Sequence, residues 1–163
     1  MRLLWLLGVL FVACGPPIPE TCIGSKSPTL EIGRGVGGAF APFADNQRVG
    51  LTVAPQGGFG VSVVLNTKGL AAGEGKSGDA TLETIVDGKV SGSFSLRLPL
   101  LCQSNGSGGL VSGVVVGFDP ATYSSNDSLL TLNEKPVVLR VTVTDGEGRK
   151  AVIDKTVTIV IGG

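Results

Sequence analysis

From Thr29 onward, apolar and polar residues alternate along short runs separated by turn formers, the period-2 signature of half-buried β-strands. Phe59, Val61, Val63 and Leu65 share one face of such a run, with Gly60, Ser62, Val64 and Asn66 on the other. Ala80–Val86 and Lys89–Leu98 flank Asp87-Gly88, a two-residue hairpin signal. In the second arm Val90, Phe94, Leu96 and Leu98 face one way, and Ser91, Ser93, Ser95 and Arg97 the other. Leu110–Phe118 is a Val/Gly run, apolar on both faces, and is expected to be a central strand. Near the C-terminus Val137, Leu139, Val141 and Val143 alternate with Val138, Arg140, Thr142 and Thr144. The turn at 145–148 follows, then Lys150–Ile161, with Val157, Ile159 and Ile161 facing inward. Short strands near Leu30 and Leu51 complete the set, and no 3.6-residue stripe interrupts it. The pattern predicts an all-β fold, an antiparallel sandwich of about 7–8 strands over residues 29–163.

Ahead of this domain the pattern changes. Leu3 to Val12 is an unbroken apolar run behind one positive charge, Arg2. It has the length of a signal-peptide h-region and is too short to span a bilayer, which takes about 20 residues. It ends in Phe11-Val12-Ala13-Cys14, which resembles the lipobox of bacterial lipoproteins, with Phe11 where that pattern has Leu or another aliphatic residue. The resemblance implies removal of residues 1–13 and acylation of Cys14. Gly15 rather than Asp follows the cysteine, which in a Gram-negative cell implies the outer membrane. The alternatives are an ordinary signal peptide with an incidental Cys14, or a buried N-terminal strand. Residues 14–28, with Pro16, Pro17, Pro19 and Pro28, read as a stiff tether.

Three cysteines are an odd number for an exported chain. With Cys14 lipidated, Cys22 and Cys102 remain as one pair in an oxidising compartment, the alternative being two free thiols. A bridge closing that loop would stabilise by roughly 4–5 kcal/mol on the chain-entropy model.

Two further resemblances concern the domain itself. Residues 137–149 read V-x-L-x-V-T-V-T-D-G-x-G-R, similar to the final hairpin of bacterial immunoglobulin-like domains, so the expected sandwich is immunoglobulin-like. The segments 31–35 (EIGRG), 40–45 (FAPFAD) and 55–59 (PQGGF) before a valine-rich strand resemble a set of predicted lipoproteins of myxobacteria and related bacteria. In that set histidine often follows P-Q-G-G; here Phe59-Gly60 stands instead. This likeness implies class and location and carries no activity.

Composition narrows the chemistry. There is no histidine, which removes Ser-His-Asp and Cys-His catalysis, His-ligated zinc or haem, and imidazole pH switching. Formal charge is zero, so there is no basic footprint for nucleic acid. The one tryptophan, Trp5, lies in the leader with Phe11; after the leader, Tyr123 and Phe40, Phe43, Phe59, Phe94 and Phe118 are the remaining aromatics. Gly75-Lys76-Ser77 looks like the tail of a P-loop, but the motif needs glycine at position 70, which is Leu70, and a helix after it. Asp119, Asp127, Asp145 and Glu147 are acidic loop residues without the D-x-D-x-D-G spacing of a calcium loop. S-x-x-K and G-x-S-x-G are both absent. Gln56, Gly57, Gly58 and Phe59 read either as a tight turn or as a recognition loop.

Alternating strand directions place loops 33–47, 68–79 and 145–149 at the tether end, with the turn around Cys102. Loops 54–58, 87–88 and 119–135 fall at the distal end, where a partner is expected to bind. The expected function is a non-catalytic binding or structural module, lipid-anchored in the cell envelope, without cofactor or metal. Its partner would be an envelope protein or polymer. The alternative is a ligand- or cation-dependent adhesion domain, with an enzyme a distant third.

Overall fold

The alternating runs form strands that sort into two facing sheets. The computed structural model describes residues 21–22, 24–25, 27–36, 39–54, 57–103 and 108–162. In chain order the elements are β1 (Thr21–Cys22), β2 (Thr29–Val36), β3 (Ala39–Pro42), β4 (Gln47–Gly50), β5 (Thr52–Val53), β6 (Phe59–Lys68) and β7 (Ala72–Gly73). There follow β8 (Ser77–Val86), β9 (Lys89–Pro99), β10 (Leu101–Cys102), β11 (Gly109–Gly117), α1 (Asn126–Leu130), β12 (Pro136–Asp145) and β13 (Lys150–Val160). One sheet runs β10-β11-β6-β2-β3, with β5 also on β6; the other runs β4-β13-β12-β8-β9; β1 and β7 form a small pair. Pairing is antiparallel except that β4 lies parallel to β13.

Period-2 alternation explains the core. Val137, Leu139, Val141 and Val143 of β12 and Val157 and Ile159 of β13 are fully buried, as are Val61, Val63 and Leu65 of β6 or nearly so. Phe59 and Ile161 are half-buried at its margin. The β8–β9 hairpin turns through Asp87 and Gly88, both at positive φ (50° and 76°), as a two-residue turn requires.

Four expectations change. Val90 does not share a face with Leu98, because β9 carries one extra residue, Ser91, between the pairs Thr84↔Gly92 and Ile85↔Val90. That bulge puts Val90 opposite outward-facing Ile85, and it is 56% exposed. The run Leu110–Phe118 is not central: β11 has β6 on one side and only the two-residue β10 on the other. Segment 33–47 is not a tether-end loop. It folds as the β2–β3 hairpin and then crosses to β4, where Asn46 N–H bonds the Thr156 carbonyl at 2.9 Å. Direction fails to alternate there because β4 pairs in parallel. The long connection 119–135 contains α1, whose start is capped by Ser125 and Ser128 hydroxyls, and buries Leu129 and Leu132.

The other loops group as expected. Gly58 approaches Pro120, and Lys135 pairs with Asp87 at 3.5 Å, at one end. At the other, Gly73 N–H bonds the Leu100 carbonyl, and Ala71 N–H bonds Asp145.

Candidate functional site

Three places on the molecule bear on function: the base where the N-terminal segment attaches, the distal end, and one open flank.

At the base, Cys22 and Cys102 form a disulfide with Cα atoms 5.7 Å apart across a separation of 80 residues. Three more contacts hold the same segment. β1 pairs with β7, Ser25 N–H bonds the Gly69 carbonyl at 2.7 Å, and Gly24 lies flat against the Arg149 guanidinium. A Cβ at Gly24 would fall 2.0 Å from the guanidinium carbon. Arg149 in turn is held by Asp145 (Nε to Oδ2, 2.8 Å) and Glu147 (2.8 Å). The Asp145 side chain is fully buried and also accepts the backbone N–H groups of Ala71, Glu147 and Arg149 at 2.8–2.9 Å. Burial opposes its ionisation, but the Ala71 amide, the Arg149 side chain and the other two amides outweigh that and hold the carboxyl below its ordinary range.

At the distal end, Gly57 (φ 92°) and Gly58 (φ 80°) make the turn that side chains resist, closed by Gly57 N–H to the Ala54 carbonyl at 2.9 Å. Phe59 packs against the core, and its carbonyl accepts Phe118 N–H at 2.9 Å. Cys14 and Gln56 lie outside the described residues. Gly57 and Gly58 thus lie in the turn that leads into β6 at Phe59. Asp119 caps its own turn, accepting from Thr122 Oγ1 (2.6 Å) and Ala121 N–H (3.1 Å), and these bonds, the Thr122 hydroxyl first, lower its pKa. Phe118 and Tyr123 meet edge to face at 5.4 Å behind it.

The four acidic loop residues do not converge. Asp119 and Asp127 sit at the distal end, Asp145 and Glu147 at the base, and no group of three acidic or cysteine residues among the described residues could share a cation. Gly75-Lys76-Ser77 is a turn leading into β8, with the Lys76 carbonyl accepting Leu100 N–H.

The open flank was not anticipated from sequence. β9 ends its sheet, and β11 opposite it has no outer neighbour beyond Leu110 among the described residues. Between them runs a groove of about 470 Å³ lined by Leu82, Phe94, Leu96, Leu98, Val114 and Val115 among others. Its closed end is a pinch. A Cβ on Gly92 would meet the Gly117 carbonyl at 2.4 Å, and one on Gly117 would meet the Phe94 ring at 2.8 Å. There Asp119 N–H crosses to the Ser91 carbonyl at 2.6 Å, and buried Thr84 donates its hydroxyl to the Gly117 carbonyl at 3.0 Å. The sequence signal was the apolar Phe94 and Leu96 on a Ser-rich strand; the bulges at Ser91 and around Gly113 that shape the groove have no period of their own.

No family model, curated protein or solved structure matches the chain.

Proposed function

We propose that the chain is a non-catalytic, lipid-anchored module of the bacterial cell envelope, exported by Met1–Ala13, acylated on Cys14 and held in the outer membrane. Its sandwich is of the immunoglobulin-like type. The strand order supports that type: β2, β6, β11 and β10 fall in the places of strands A, B, E and D, and β13, β12, β8 and β9 in those of G, F, C and C′. The membership suggested by the P-Q-G-G segment, among lipoproteins like those of myxobacteria, belongs to the same reading.

The observation that carries it is the fastening of the N-terminal segment to the base by the Cys22–Cys102 bridge and by Gly24 on Arg149. A tether attached there transmits force into the domain at a covalent crosslink rather than by peeling β2. From Cys14 to Cys22 an extended Pro-rich chain reaches about 25 Å, so the domain would sit close to the bilayer, with its distal end outward toward an envelope protein or polymer. The cation-dependent alternative has less support, since Asp119 and Asp145 are engaged in their own loops.

The test is fractionation of cells carrying the native chain and Cys14→Ser. The native chain is expected in the outer-membrane fraction and the variant in the soluble fraction, with the Cys22–Cys102 bridge intact. A variant that stays with the membrane contradicts the anchor. A melting shift on adding calcium would move the reading toward the cation-dependent alternative.

A further inference from the structure

We propose that the free edge of β9 is a homodimer interface, pairing antiparallel with β9 of a second copy about a two-fold axis through Ser95. This does not depend on the lipid anchor.

The edge is equipped to pair. Leu100 N–H turns inward to the Lys76 carbonyl at 3.1 Å, extending the β8–β9 ladder. Alternation therefore turns the backbone groups of Ser93, Ser95 and Arg97 outward, where no strand meets them among the described residues. On the inner face Phe94 is half-exposed and Leu96 is 37% exposed, both over the groove.

The free stretch has two stops. At one end the Ser91 carbonyl is already taken by Asp119 N–H. At the other, Pro99 has no N–H to give, and the chain leaves for β10. Ser91 and Pro99 are equally distant from Ser95 in sequence, so two copies joined there end their ladder together at both ends.

Side chains select the same register. An axis through Ser95 sets Phe94 beside the second copy's Leu96, and Ser93 beside its Arg97. An axis through Arg97 sets two guanidinium groups face to face, which like-charge repulsion disfavours. An axis through Ser93 drives the second strand against the Asp119 crossing. A self-complementary patch of this kind is what an isologous contact requires. The ladder would hold roughly six main-chain hydrogen bonds and join the two five-stranded sheets. The two grooves would then close over one shared apolar core of Phe94 and Leu96 from each copy.

The test is cysteine crosslinking of the purified full-length chain under mild oxidation, read on a non-reducing gel. Across the axis, Ser95 faces its own copy at a Cα distance of about 5.5 Å, which a disulfide spans, whereas the two Ser93 residues lie several residues apart along the ladder. Ser95→Cys is expected to give at least about tenfold more covalent dimer than Ser93→Cys. Ser93→Cys with Arg97→Cys in the same chain is expected to restore crosslinking. The native chain should have a dimer's mass by sedimentation, and Ser95→Pro a monomer's with unchanged circular dichroism. Equal crosslinking at Ser93 and Ser95, or a native chain that is monomeric at tens of micromolar, would overturn the proposal.

Discussion

The Cα atoms of Cys22 and Cys102 lie 5.7 Å apart, and their bridge ties the incoming N-terminal segment to the short strand that flanks β11. It closes an 80-residue separation that holds β2 through β9, so most of one sheet and three of the five strands of the other lie within the loop. Replacing both cysteines by serine is expected to lower stability by about 4 kcal/mol through the freed unfolded chain. A matched shift of the urea midpoint checks this; an unchanged midpoint would mean that the β1–β7 pairing and the Gly24–Arg149 contact hold the base without the bridge.

Asp145 makes the domain sensitive to acid. Its folded pKa lies below the ordinary carboxyl value of 3.8, so the folded state binds fewer protons than the unfolded chain. Its contribution is complete above that value and is lost as pH falls through the depressed one. Asp45, Asp119 and Asp154 are lowered too and act in the same window. The melting temperature should fall as pH drops below about 4. In Asp145→Asn that fall should be shallower, from a start about 3 kcal/mol less stable, since Arg149 loses its buried partner. An Asn variant with the native pH slope would locate the acid sensitivity elsewhere.

Two glycines separate close packing from backbone strain. At Gly92 a methyl group would meet the Gly117 carbonyl at 2.4 Å and the Asp119 backbone nitrogen at 2.9 Å, so Gly92→Ala should cost about 2–3 kcal/mol. At Gly57 nothing lies within 4 Å, and only its φ of 92° opposes a side chain, so Gly57→Ala should cost about 1 kcal/mol. Chemical denaturation of both variants checks the order; a reversal would mean that the two sheets relax apart at the pinch.

Much of this architecture was legible in the sequence because burial on one face imposes period 2. Val137–Thr144 and Val61–Leu65 alternate as their strands do, and Asp87-Gly88 supplies the two positive φ values that its hairpin needs. The base was legible through cysteine counting, which left Cys22 and Cys102 to pair. What escaped has no periodic signature. Ser91 is one more serine in a Ser-rich strand until pairing makes it a bulge, and that bulge alone turns Val90 outward. The parallel placement of β4 rests on contacts with β13 more than 100 residues away. The capping of α1 uses Ser125 and Ser128 rather than the usual acidic third residue, and the helix is too short for a stripe. The open flank lies beyond β10, whose two residues pair only with Leu110 and Gly109 of β11, a long-range contact with no periodic signature.

The central claim, that this is a lipid-anchored module, is tested most directly by mass spectrometry of the N-terminal peptide of the protein purified from membranes. The expected result is a peptide that begins at Cys14, lacks residues 1–13 and carries the added mass of acyl chains. A peptide that retains Met1–Ala13, or begins at an unmodified Cys14, would contradict it.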